Sequence, residues 1–323
     1  MNFLKALELK HFGKLDHQAV LDLAKQSSDF SNQWLVHAIR SECSFEELAT
    51  AIAANLKWQT PALFVLADYL NSISLVNKNN TAIDEIKKLS DYTTKIFSDF
   101  CQETQIKLLN RFRDFSNLEY EGTALDDSKY TTNLMVSKAQ INDILETCIP
   151  NLKDVSLFGG EGNNSKDESI RNNAHFPTPL PNTSMALALL EYSIAKAANE
   201  PIIFAEPPVI LSYKSGQYYK WHYDHIFPHT REIESHIEQF GQRNKTAIFY
   251  FNEDFSGGET EFKEPFLSVK PEVGKVLIFN NTNEQGKRET SSIHRGNTII
   301  EGEKLIMTLW FRNKPFWLRN GLL

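Results

Sequence analysis

The chain has 323 residues, of which 41% are hydrophobic and 23% charged, and its formal net charge is −7. This is the balance of an ordinary soluble globular protein with room for about two domains, and it lacks the basic domain or patch expected of a nucleic-acid binder. Its longest apolar stretch, "MALALL", is too short to span a bilayer.

The N-terminal segment carries Lys5, Glu8 and Lys10 within any would-be apolar region, so it makes a poor signal peptide. Cys43, Cys101 and Cys148 are scattered without metal-type spacing and form no disulfide framework. These features point to a soluble protein of a reducing compartment, the cytoplasm, with no membrane or nucleic-acid partner.

Residues 1–118 read as a helical domain. "SFEELATAIAANL" opens with Ser44 and Glu47 at capping-box spacing, and "TPALFVLADYLNSISLV" sets Thr60 before Pro61, a cap followed by proline at the first helical position. Between Thr81 and Phe112, Ile83, Ile86, Leu89, Ile96, Phe100 and Leu108 keep a helical rhythm. No period recurs convincingly, so a small bundle is expected rather than a repeat array. The polar, acidic stretch "EYEGTALDDSKYT" marks a linker over 119–132.

From 133 onward a short helix follows a capping box made by Ser137 and Gln140, then a loop "FGGEGNNSKDES" and a longer apolar helix, "TSMALALLEYSIAKAAN". After Pro208 the pattern changes to short runs rich in β-branched and aromatic residues: "VILSYK", "TAIFYFN", "FLSVK", "KVLIFNN" and "KLIMTLWF". Such strands, with no helices long enough for parallel crossovers, predict an antiparallel sandwich, jelly roll or barrel behind supporting helices, an α+β chain overall.

"WHYDHIFPH" is dense in metal-capable side chains. Strand alternation puts His222 and Asp224 on one face and turns His225 away. His294, far downstream in "SSIHRGNTIIEGEK", is a third candidate. Two imidazoles and a carboxylate make a facial triad for divalent iron, although zinc accepts the same set. Lys304 opens the last strand. There it is either an ordinary edge residue or, if it points inward, a partner for the distal carboxylate of a dicarboxylic acid.

In order, the chain carries "YKSGQYYKWHYD" from Tyr213, "QRNKTAIFYFN" from Gln242, "GGETEF" from Gly257, "HRGNTIIEGEK" from His294, and Trp310 with Phe311; upstream, "ESIRNNAHF" contains Arg171. This ordered set resembles the prolyl 4-hydroxylase family of 2-oxoglutarate- and Fe(II)-dependent dioxygenases, from about Leu134 to the C-terminus. Thr298, Leu305 and the phenylalanines around Tyr250 depart from the family pattern without touching its metal or 2-oxoglutarate positions.

The resemblance implies a double-stranded β-helix (jelly-roll) catalytic domain over 133–323. It implies iron held by His222, Asp224 and His294, and 2-oxoglutarate anchored on Lys304 with Tyr213 and Thr260 beside its far carboxylate. Tyr219, Arg243 and Trp310 match positions that line the groove for a peptidyl proline. The segment His225–Gly241 matches a loop that covers the site, which leaves His229 and His236 exposed to solvent or substrate; Gly257 and Gly258 are simply turn glycines.

The activity so implied is hydroxylation of prolyl residues in a protein or peptide. O2 is consumed, succinate and CO2 are released, and ascorbate serves as reductant. A free amino acid or other small molecule as substrate is the alternative within the same chemistry. A non-catalytic metal-binding jelly-roll module is the alternative outside it, and Lys304 with Tyr213 argues against that one.

Overall fold

The computed structural model describes residues 120–136, 138–154, 172–177, 185–314 and 316. The helical readings over 1–118, and those resting on Ser137 and Arg171, lie outside these residues.

In chain order the elements begin with β1 (Thr123–Asp126), β2 (Lys129–Asn133) and α1 (Lys138–Cys148), then β3 (Lys153–Asp154), β4 (Ala174–Pro177) and α2 (Met185–Ala197). They continue with β5 (Val209–Lys214), β6 (Tyr219–His222), α3 (Arg231–Phe240) and β7 (Arg243–Tyr250). Short strands β8 (Ser256–Gly257), β9 (Thr260–Phe262) and β10 (Leu267–Val269) precede β11 (Lys275–Asn280). The described chain closes with β12 (His294–Gly296), β13 (Ile299–Glu301) and β14 (Glu303–Arg312).

Alternation along the long strands decides how these elements stack. In β14, Leu305, Met307, Leu309 and Phe311 join one apolar cluster, while Lys304, Ile306, Thr308 and Trp310 face a cleft on the opposite side. β7 and β11 split the same way, with Phe249, Val276 and Ile278 on the first side and Ile248, Tyr250, Leu277 and Phe279 on the second. One large antiparallel sheet results, in the order β1-β2-β11-β7-β14-β5-β4-β3.

The first face is covered by α1 and α2 through Ile144, Leu187, Leu190 and Ile194. The second packs on a smaller sheet, β10-β9-β12-β6, through Phe262 and Val269. Two antiparallel sheets face to face, with helices behind the larger one, make a jelly roll. Among the described residues no helix is long and apolar enough to cross a membrane.

Two expectations are corrected. The stretch over 119–132, read as a linker from its polarity, supplies the hairpin β1–β2, and β2 pairs along its length with β11. The charge that suggested a linker is neutralised locally. The buried Lys129 ammonium donates to Asp126 Oδ2 at 2.7 Å, and to Ser128 and Ser291 hydroxyls at 3.0 and 3.1 Å. The half after Pro208, read as strands and their connections, also contains the helix α3. The Thr230 side chain caps its start by accepting from Ile233 N–H, and Gly241, at φ 83°, ends it. Ile233 and Phe240 form its buried face.

Candidate active site

The register of the small sheet assembles the site. β12 pairs with β6 so that His294 lies directly opposite His222, and the two rings sit 4.1 Å apart. Asp224 follows two residues after β6 ends. The ligand atoms of His222, Asp224 and His294 all fall within 4.8 Å of one another. His225 is not in that group, although it too lines the cleft.

Hydrogen bonding fixes the tautomers of both imidazoles. His222 Nδ1 lies 2.7 Å from Lys220 O, and His294 Nδ1 lies 2.9 Å from Ser292 O. A carbonyl oxygen only accepts, so each Nδ1 carries the proton and each Nε2 presents a lone pair. Those two Nε2 atoms stand 3.6 and 3.8 Å from Asp224 Oδ1 and Oδ2, beyond hydrogen-bonding distance. Burial, with His222 nearby, pushes His294 down to about 4, so its imidazole is neutral near pH 7. Burial opposes ionisation of Asp224 as well, yet His294, His222 and Arg243 outweigh it and hold the carboxyl well below the usual range.

Two lone pairs and a carboxylate thus converge in a buried space with no proton between them. That donor set suits a divalent cation. The residues present therefore fit a metal ion of the iron or zinc type.

Lys304 lines the same cleft and is 3% exposed. Its ammonium donates to Gly258 O at 2.5 Å and stands 5.6 and 5.5 Å from the ring centres of Tyr213 and Tyr250. Burial pulls its pKa down to about 7, only partly countered by Glu259. No carboxylate lies within ion-pairing distance of it among the described residues. A three-donor cation in an apolar pocket with one hydrogen bond is prepared for an incoming anion.

Gly258 does more than form a turn. Its φ is +72°, a backbone conformation that favours glycine, and a Cβ there would lie 2.4 Å from Ile299 Cδ1 and 3.2 Å from Lys304 Cδ, while its carbonyl accepts from the Lys304 ammonium. Thr260 lines the cleft, and its hydroxyl is 2.8 Å from that of Tyr250.

The cleft has a volume of about 860 Å³. Tyr219, Arg243 and Trp310 all border it. Tyr219 stacks on His222, with ring centres 3.5 Å apart and planes 17° from parallel. The Arg243 guanidinium lies 3.8 Å above the Trp310 ring and grips Glu206 with two bonds of 2.6 and 2.7 Å. Arg243 and Arg312 together hold Glu206 at about 2, outweighing the cost of burying it. Phe227, 61% exposed, stands at the mouth with His229.

The structure brings together every site residue expected from the sequence. Sequence reasoning missed Glu206, which sits before a proline pair and carries no periodic signal, and Tyr250, which looks like any strand aromatic. His236 is not an exposed loop residue; it lies on α3, 3.2 Å from Arg312 Nη2.

Comparison with known proteins agrees with this geometry. Residues 208–312 match the model of the 2OG-Fe(II) oxygenase superfamily. A protein of Acanthamoeba polyphaga mimivirus named "Putative prolyl 4-hydroxylase" is 30% identical over 58% of this chain and 75% of its own length. Prolyl 4-hydroxylase 13 of Arabidopsis thaliana is 28% identical over 62% of this chain and 77% of its own length. Among solved structures, the collagen prolyl hydroxylase of Paramecium Bursaria Chlorella virus-1 in its 2OG complex aligns with a TM-score of 0.44 at 19% identity. That alignment covers 58% of this chain and 96% of the viral one. The two-histidine, one-carboxylate cluster, the buried lysine in the same cleft, the family match and the mimivirus relative lead to one conclusion: the chain belongs to the prolyl 4-hydroxylase-like family of 2-oxoglutarate- and Fe(II)-dependent oxygenases.

Proposed function

We propose that this protein hydroxylates prolyl residues of a protein or peptide, with His222, Asp224 and His294 holding Fe(II) and Lys304 anchoring 2-oxoglutarate. One observation carries the reading: two Nε2 lone pairs and a carboxylate converge without a proton, beside a buried ammonium whose one hydrogen bond is to a carbonyl. The relatives named as prolyl 4-hydroxylases support the substrate class.

Iron, 2-oxoglutarate and O2 supply the oxidising chemistry: one oxygen atom enters a substrate C–H bond and the other enters succinate, with loss of CO2. The chain's own groups do the rest. Lys220 O and Ser292 O hold the two Nδ1 protons, so both Nε2 atoms stay aimed at the centre. Lys304 would pair with the distal carboxylate of the co-substrate, and Tyr213 and Thr260, which line the same cleft, would add hydrogen bonds to it. Ile248 and Ile306 line the cleft and keep it apolar.

Arg243 is kept rigid by Glu206 and by the Trp310 face. It thus presents its remaining N–H groups to peptide carbonyls at little entropic cost. Tyr219 and Trp310 offer flat apolar faces suited to a proline ring. The cleft opens past Tyr223, Phe227 and His229, which favours a peptide over a free amino acid.

The test is succinate release from 2-oxoglutarate by the purified protein with Fe(II) and ascorbate, with and without a proline-containing peptide. Turnover should rise with peptide and vanish in His222→Ala and Asp224→Ala. Turnover that persists in both variants would remove the iron assignment.

A further inference from the structure

The oxygen of Asp224 nearest His294, Oδ2, is engaged on its other side. The Thr246 hydroxyl donates to it at 2.8 Å, and the Asn281 amide nitrogen lies 2.7 Å from that hydroxyl oxygen. All three side chains are buried, Thr246 and Asn281 completely.

The direction of this chain follows from chemistry. An ionised carboxylate only accepts, so the single hydroxyl proton of Thr246 must point at Asp224. The Thr246 oxygen is then left as an acceptor, and Asn281 must offer it an N–H. The amide is therefore oriented by a charge two groups away, with its Oδ1 left buried and without a hydrogen-bond partner. An orphaned buried carbonyl costs free energy, and the orientation that donates to Thr246 is kept nonetheless.

The backbone anchors the far end. Asn281 N–H donates to Asn244 O at 2.7 Å, and Glu289 N–H donates to Asn281 O at 2.8 Å. Asn281 thus sits where the chain leaves β11, locked to both sides, while Thr246 is on β7 in register with Phe279 of β11. The relay ties a carboxylate that lies beyond its own strand to the rigid centre of the large sheet.

We infer that Thr246 and Asn281 are positioning residues that orient the Asp224 carboxylate for metal binding, through the relay Asn281 N–H to Thr246 O–H to Asp224 Oδ2. The relay rests on the metal-centre reading above. With Oδ2 tethered, the carboxylate plane cannot turn away, and Oδ1 stays on the side of His222. Partners of this kind change metal affinity by about 10- to 100-fold when removed.

Titration of the full chain with Co(II) alone, followed by visible absorption, tests this without turnover. Thr246→Val keeps the shape and removes the hydroxyl, so the Co(II) Kd should rise by about 10- to 100-fold and the absorption bands should shift. Thr246→Ser restores the donor and should return both close to wild type. Asn281→Ala frees the hydroxyl to rotate and should give a smaller loss. Should Thr246→Val fold poorly, Thr246→Val with Asn281→Leu removes both polar partners together and carries the same expectation.

Wild-type affinity and spectrum in a folded Thr246→Val variant, or failure of Thr246→Ser to restore them, overturns the relay. His222→Ala separates that from a deeper failure. If it binds Co(II) like wild type, or wild type binds none, the metal centre itself is wrong and the relay falls with it.

Discussion

Replacing Lys304 by methionine separates function from packing. The substitution keeps a flexible stem beside Gly258 and removes only the ammonium, whose single hydrogen bond is to Gly258 O. Two consequences of opposite sign follow. Without co-substrate, the buried cation is a burden. Its pKa falls from 10.5 to about 7, and a displacement of that size corresponds to roughly 4 kcal/mol of destabilisation at neutral pH as an upper bound. Lys304→Met should therefore melt at a higher temperature than wild type.

With co-substrate the balance reverses. Losing a charge-assisted contact, and leaving the distal carboxylate in an apolar pocket, costs about 2–5 kcal/mol. That is roughly a 30- to 5,000-fold weaker 2-oxoglutarate Kd. Calorimetry on Mn(II)-loaded protein reads this loss, and thermal melts with and without 2-oxoglutarate read the stability change. Mn(II) affinity should stay at the wild-type value. An unchanged 2-oxoglutarate Kd, or parallel loss of Mn(II) and 2-oxoglutarate, would show that Lys304 is a structural residue and refute the reasoning.

The same lysine sets a pH dependence. Its folded-state pKa of about 7 lies below the unfolded 10.5, so the folded, ligand-free chain releases this proton first. This group's contribution to stability then rises with pH across that window. Binding of 2-oxoglutarate must restore the proton: affinity should fall by up to about 10-fold per pH unit above pH 7, with proton uptake visible as a buffer-dependent binding enthalpy. A flat profile from pH 7 to 9 would contradict it. Arg243→Lys should raise the peptide KM by about 10-fold or more, because an ammonium cannot both grip Glu206 with two bonds and stack on Trp310. The 2-oxoglutarate KM should not move, and steady-state kinetics in each substrate distinguishes the two.

Much of this architecture was legible in the sequence because two-sided strands state their faces openly. "KLIMTLWF" is legible as a strand, and its two-residue period puts Lys304, Ile306, Thr308 and Trp310 together on the cleft side, which settles the direction of Lys304 that the sequence leaves open. His222 and Asp224 were legible because their spacing is local. His294 was found through motif order, while its place opposite His222 is a matter of pairing between distant strands.

What escaped depends on tertiary neutralisation. The acidic, polar composition of "EYEGTALDDSKYT" looks like linker, yet Asp126, Ser128 and Ser291 satisfy the Lys129 charge inside a sheet. Glu206 carries no local signal, because its partners Arg243 and Arg312 come from the distant strands β7 and β14. The helix α3 did leave local signs: Thr230 as cap, Ile233, Ile237 and Phe240 at helical spacing, and Gly241 as stop. Thr246 and Asn281 carry no sequence signal for what they touch, since a threonine in a strand and an asparagine after one are both commonplace.

The most direct measurement of the central claim is incubation of the wild-type protein with Fe(II), ascorbate, 2-oxoglutarate, a proline-containing peptide and isotopically labelled O2, followed by mass spectrometry of both products. The account predicts one labelled oxygen atom in a prolyl residue and one in succinate, in equal amounts, and neither product from Asp224→Ala. Succinate formed without any label reaching the proline would contradict prolyl hydroxylation, and equal labelling in Asp224→Ala would contradict the site.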